Sequence, residues 1–104
     1  MSSESDRLQY VRLGRTGVVI SRLCFGVLTV GPLQANLPLE EGAEVIAYAL
    51  NRGINFLDTA EAYQTYPYIR RALELARVQP VIATKSYAYT RQGMKESLDR
   101  ARDE

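Results

Sequence analysis

Three residues carry most of the chemistry this sequence can offer: Asp58, Tyr63 and Lys85. A carboxylate, a phenol and an amine together make a set for handling protons. Tyrosine alone is a poor acid at neutral pH, because its free pKa is about 10. A nearby ammonium stabilises the phenolate and so lowers that value. Lys85 can do this for Tyr63, and Asp58 can keep Lys85 charged and oriented. The phenol would then give or take a proton as a general acid or base. Taken singly, each residue also has an ordinary reading. Asp58 reads as a cap after a strand, Lys85 as a solvated loop lysine, and Tyr63 as one of seven tyrosines.

The elements around the three residues decide whether they meet. Ile54 to Leu57 is a short apolar run that ends in Asp58. Val81 to Ala83 is a second run, ending at Thr84 and Lys85. Two buried parallel strands, each delivering a charged residue at its C-terminal end, form the layout of an α/β active site. Between them a helix is expected from Tyr66 or Pro67 to Arg77, with Ile69, Ala72, Leu73 and Ala76 at helical spacing. An earlier helix is expected over Leu39–Asn51, opened by Pro38 and closed by Gly53. Glu40, Glu41 and Glu44 suit its N-terminal end, and Val45, Ile46, Ala49 and Leu50 form its apolar stripe. Thr90 is a good N-cap for a last helix, with Met94, Leu98 and Ala101 on one face. Upstream, Leu8–Leu13 and Val18–Ile20 flank the turn Gly14-Arg15-Thr16-Gly17 and read as a β-hairpin. Leu23-Cys24-Phe25 reads as a buried strand closed by Gly26, with Cys24 a small interior residue. Residues 1–7 read as a disordered tail.

The order is therefore hairpin, β, α, β, α, β, α. Such alternation implies a parallel sheet with right-handed crossovers. Three βα units do not close a (β/α)8 barrel, which needs about 250 residues. The pattern alone fits either a small open three-layer sheet or the first part of a barrel.

Composition narrows the function classes. The 104 residues carry 13 basic and 12 acidic side chains, a formal net charge of +1. That balance makes no electrostatic case for nucleic acid or an anionic membrane surface. The single cysteine, Cys24, forms no internal disulfide, suits a reducing, cytoplasmic compartment and excludes a cysteine-based metal cluster. Histidine is absent. No apolar run approaches the roughly 20 residues of a membrane span. The glycines of the hairpin turn are followed by no Lys-Ser or Lys-Thr, so they do not make a phosphate loop.

At Gly53-Ile-Asn-Phe-Leu-Asp58-Thr-Ala-Glu-Ala-Tyr63 and Ala83-Thr-Lys85 the sequence closely resembles the aldo-keto reductase family. Tyr10-Val-Arg-Leu-Gly14-Arg-Thr-Gly17 and Ile20-Ser-Arg-Leu-Cys-Phe-Gly26 resemble that family's bottom-capping hairpin and first barrel strand. The resemblance implies an α/β fold, the N-terminal part of a (β/α)8 TIM barrel made of a hairpin and about three βα units over residues 8–104. It implies an oxidoreductase that reduces small aldehydes or ketones with NADPH or NADH. Asp58, Tyr63 and Lys85 align with the family's catalytic residues. Gly26, Val27, Leu28 and Asp58 are expected at the nicotinamide end of the cofactor. No metal site is expected. There are departures. Gln64 stands where the family commonly has glycine, Tyr66-Pro67-Tyr68 replaces a usual Ser-Glu, and Val27 replaces a usual threonine. The stretches around Gly31-Pro-Leu-Gln-Ala-Asn and Thr65-Tyr-Pro-Tyr-Ile resemble a bacterial branch of the family, some members of which carry a ferredoxin-like module.

Within that resemblance, carbonyl reduction needs a hydride on carbon and a proton on oxygen. The nicotinamide supplies the first and Tyr63 the second. The family's fourth catalytic residue, usually histidine, follows the fourth barrel strand and has no counterpart here. The 104 residues are therefore expected to be the N-terminal part of a reductase, inactive alone and weak in cofactor binding. Strands apolar on both faces would leave one side uncovered and favour self-association. The alternative expectation is a non-catalytic half-barrel that serves as a binding or assembly module.

Overall fold

The computed structural model describes residues 8–103. The segment 1–7, read above as a disordered tail, lies outside the described residues. Among them the chain runs β1 (Tyr10–Arg12), β2 (Val19–Ser21), β3 (Phe25–Gly26), a 3₁₀ turn (Val27–Val30), α1 (Leu39–Asn51) and β4 (Phe56–Asp58). A second 3₁₀ turn (Glu61–Tyr63), α2 (Tyr66–Ala76), β5 (Val81–Ala83) and α3 (Arg91–Asp103) follow.

Strands β1 and β2 form the antiparallel hairpin, with Val11 opposite Ile20. Strands β3, β4 and β5 form a parallel sheet in sequence order. Phe25 pairs with Leu57 and Leu57 with Ile82, while Gly26 pairs with Asp58 and Asp58 with Ala83. Paired residues share a face, and neighbours along a strand alternate. One face therefore carries Phe25, Leu57 and Ile82 toward the helices. The other carries Gly26, Phe56, Asp58, Val81 and Ala83, of which Gly26 and Asp58 are exposed and the rest half-buried.

The core lies between the sheet and α1 with α2. Leu57, Ala43, Ile46, Leu50, Ile69 and Ala72 meet there. Tight approach is built into the sequence at Gly42, where an added Cβ would sit 2.5 Å from the Tyr68 ring. Tyr68 is buried, and its hydroxyl donates to the Leu37 carbonyl at 2.6 Å. The hairpin is fastened below the sheet by Asn55. Asn55 Oδ1 accepts from the Ser21 N–H at 2.6 Å, and Asn55 Nδ2 donates to the Val19 carbonyl at 3.0 Å. Tyr10 adds a hydroxyl bond to the Gly53 carbonyl at 2.6 Å. Gly53 itself has φ +106°, a conformation that glycine adopts without a Cβ penalty.

Several expectations need correction. The second strand of the parallel sheet contains Asp58 rather than stopping before it, because the pairing with Gly26 and Ala83 extends that far. The first strand is Phe25–Gly26, and Cys24 is exposed rather than interior, since it precedes the sheet on the uncovered side. Helix α2 ends at Ala76, and Arg77 turns left-handed at φ 57°. On α1, Val45 is exposed while Ala43 and Ala47 are buried, so the stripe is rotated from the expected one. On α3, Met94 and Leu98 are exposed, and Ser97 is the residue buried inward.

Candidate active site

The parallel ladder continues past the ends of the strands. The Thr59 N–H donates to the Ala83 carbonyl at 2.8 Å, and the Glu61 N–H donates to the Lys85 carbonyl at 2.9 Å. The two loops leaving β4 and β5 thus run side by side. This places Tyr63, at the end of the second 3₁₀ turn, close to Lys85.

Lys85 is the centre of the group. Its Nζ lies 3.6 Å from Asp58 Oδ1, donates to the Thr59 carbonyl at 3.1 Å, and stands 5.0 Å from the Tyr63 ring centroid. Desolvation pulls the Lys85 pKa down. Hydrogen bonding with the Tyr63 phenol and the charge of Asp58 outweigh it, and the net direction is up. The ammonium is therefore firmly held as a cation. The side chains of Lys85 and Asp58 remain 48% and 53% exposed, so the group opens to the uncovered face of the sheet.

The Tyr63 loop is closed at its base. Thr59 and Thr65 are both buried, and their hydroxyl oxygens meet at 2.5 Å. Above it, Gln64 takes a left-handed conformation at φ 59°. Only glycine visits that region freely, which explains why glycine is common at this place in the resembling family. Tyr66 joins α2 to the end of β5 through a 2.7 Å contact between its hydroxyl and Thr84 Oγ1. Sequence reasoning missed Thr59, Thr65 and Glu61. Their signal is a run of small or polar residues directly after a strand that ends in a carboxylate.

Of the positions expected at a cofactor, Gly26 lies opposite Asp58 on the open face, and a Cβ there would meet nothing within 4 Å. The Val27 side chain is not available, because it is buried in the core. Leu28 is half-buried. The space beside Gly26 is thus open next to Asp58. Cys24 lies close enough for the Asp58 charge to act on it, and burial first and that charge second raise its pKa. Among the described residues no cluster of histidine, cysteine or carboxylate side chains could hold a metal ion. No helix among them is long and apolar enough to cross a membrane.

Asp58, Tyr63 and Lys85 thus gather at the C-terminal edge of a parallel βα layer. The Aldo/keto reductase family model matches residues 22–104, and the chain belongs to that family. It is 37% identical over 84 residues to the Glycine max protein named Probable aldo-keto reductase 1, covering 76% of this chain and 24% of that protein. It is 38% identical over 56 residues to the uncharacterised oxidoreductase YrpG of Bacillus subtilis, covering 54% of this chain and 16% of that one. The crystal structure of a Pseudomonas aeruginosa protein assigned as an aldo-keto reductase superposes with a TM-score of 0.73 at 26% identity, covering 90% of this chain and 41% of its own. The fold is thus the α/β fold of an N-terminal barrel segment. The chain spans about a quarter of the length of the Glycine max relative.

Proposed function

We propose that this chain supplies the proton-transfer half of an NAD(P)H-dependent reductase of small aldehydes or ketones. The observation that carries this reading is the position of Lys85 Nζ between the Asp58 carboxylate and the Tyr63 ring. NAD(P)H, when bound, supplies the hydride. Gly26, the backbone of Val27 and Leu28, and Asp58 would hold its nicotinamide end. Tyr63 gives its proton to the carbonyl oxygen. Lys85 stabilises the negative charge left on the phenol oxygen, and Asp58 with the Thr59 carbonyl keeps the ammonium in place. A preorganised cation beside a developing anion costs no reorganisation during the reaction. A lone exposed cysteine suits a reducing compartment, which supports a cytoplasmic setting.

Activity of this kind needs cover over the open face and a grip on the far end of the cofactor. The test joins the chain to the remaining barrel of the Glycine max relative and follows NADPH oxidation with a simple aldehyde. Turnover by the chimera is expected. The 104-residue chain alone should bind NADPH more weakly than micromolar in calorimetry. A folded chimera that binds NADPH but reduces no aldehyde or ketone would contradict the reading.

A second reading, a binding or assembly module, is favoured by the uncovered inner face with Phe56, Val81 and Ala83 beside the unpaired edge of β5. Unpaired strand edges template association. Mass in solution separates the two: a chain that is stably oligomeric, and remains so in the chimera, would favour the module.

A further inference from the structure

Helix α3 is tied to the Tyr63 turn and to the segment after β5 by a polar knot, while its last turn accepts a hydrogen bond from Arg70 of α2. Glu61 lies on the 3₁₀ turn that carries Tyr63. Its Oε1 accepts from Ser97 Oγ at 2.9 Å, and its Oε2 accepts from Arg100 Nε at 2.5 Å. Ser97 is buried and meets Ser86 Oγ at 2.7 Å. The proton order follows from these partners. The Ser97 hydroxyl proton goes to Glu61, so Ser86 donates to Ser97, and Ser86 Oγ in turn accepts from the Ala88 N–H at 3.0 Å. Meanwhile the Glu61 main-chain N–H holds the Lys85 carbonyl at 2.9 Å. Glu61 thus grips residues 85 and 86 twice, once by its backbone and once through Ser97.

A cleft of about 310 Å³ opens between α3 and the end of β5, lined by Glu61, Thr84, Lys85, Ser86, Met94 and Ser97 among others. Around this cleft the hydrogen bonds between α3 and the Lys85 segment run through Glu61 and Ser97. We infer that Glu61 is a positioning residue, which holds Lys85 against Tyr63 and Asp58 by bracing the Lys85 segment to α3. This inference rests on the reading of Asp58, Tyr63 and Lys85 as the reacting set, but its test needs no turnover.

The chain has two lysines, Lys85 and Lys95, so labelling lysine at Cε gives two resolvable NMR signals in the 104-residue protein. The Lys85 signal should be displaced by the Tyr63 ring current, since its Nζ lies 5.0 Å from that ring centroid. Lys95 should look ordinary. In Glu61→Gln the Lys85 signal should lose most of its displacement while Lys95 stays fixed. Ser97→Ala, which leaves the Glu61 charge untouched, should move Lys85 in the same direction and decides the matter if Glu61→Gln does not fold. A Lys85 signal that stays in place in a folded Ser97→Ala protein, or in a folded Glu61→Gln protein, overturns the inference. So does a wild-type Lys85 signal without ring-current displacement. Aldehyde reduction can fail in the chimera without touching this result, so the two failures are distinguishable.

Discussion

Helices α1 and α2 hold to the sheet by apolar packing, whereas α3 holds by charge and hydroxyl. Between α1 and α2, small residues let backbones approach, and Ile46, Leu57 and Ile69 are buried there. Arg71 only decorates that joint, reaching Glu40 at 2.9 Å across the solvent side. On α3 the arrangement is reversed. Leu98 is 52% exposed, and a cavity of about 440 Å³ opens between α2 and α3, lined by Ile69, Leu73, Ile82, Leu98 and Ala101 among others. The helix is kept there by Glu61, Ser97 and Arg100, with Arg70 donating to the Asp103 carbonyl. The scaffold that fixes Asp58 is packed by area. The segment that carries Lys85 is fixed by a few directional bonds, which a single side-chain change can release.

The packed side should break hardest. Ile46 is fully buried, so Ile46→Ala removes apolar contact and leaves a cavity. The expected loss is about 2–5 kcal/mol, read as a drop in the urea midpoint or as loss of a cooperative transition. Gly42→Ala forces a methyl to 2.5 Å from the Tyr68 ring. Overpacking of that kind costs about 1–3 kcal/mol, and equilibrium unfolding checks it.

Acid separates the two regions without mutation. Hydrogen bonds from Arg100 first and Ser97 second hold the Glu61 carboxyl below its ordinary value of 4.5. A carboxyl depressed on folding stabilises fully above the unfolded value, and that contribution disappears as pH falls through the folded value. Glu40 is depressed in the same direction, chiefly by its hydrogen bond with Arg71, but it backs a joint already closed by apolar packing. Below pH 4.5, amide protection factors, corrected for the intrinsic exchange rate at each pH, should therefore fall in α3 before they do in α1. An equal fall in both helices would erase the contrast. The smallest effect belongs to Leu98→Ala, expected to change stability by less than about 0.5 kcal/mol because the side chain is largely in water. A larger loss in thermal unfolding would show that α3 packs more closely than its exposure implies.

The same contrast explains what was legible in the sequence. Helix α1 was readable to its ends because Pro38 and Gly53 punctuate a clear periodic run. Strand β5 was readable because Val81-Ile-Ala is a short apolar run followed by polar residues. The rotation of the α1 stripe was not, because alanine fits either side of a helix and only the partner surface decides. Met94, Leu98 and Ala101 pointed to an apolar seam on α3, and the serine inside that stripe was the unused signal. Cys24 was misjudged because apolar neighbours in sequence do not reveal that the sheet is open on one face. The family spacing brought Asp58, Tyr63 and Lys85 into view. The buried threonines and Glu61, which hold the loop in shape, depend on contacts between distant segments that spacing does not record.

Tyr63 is the residue proposed to deliver the proton. The most direct test is Tyr63→Phe in the chimera, with NADPH oxidation measured at saturating aldehyde. Removing a positioned general acid typically costs about 10²–10⁴-fold, so kcat should fall by that order while NADPH affinity stays unchanged. A Tyr63→Phe protein that turns over at the rate of its parent would show that the proton comes from another group.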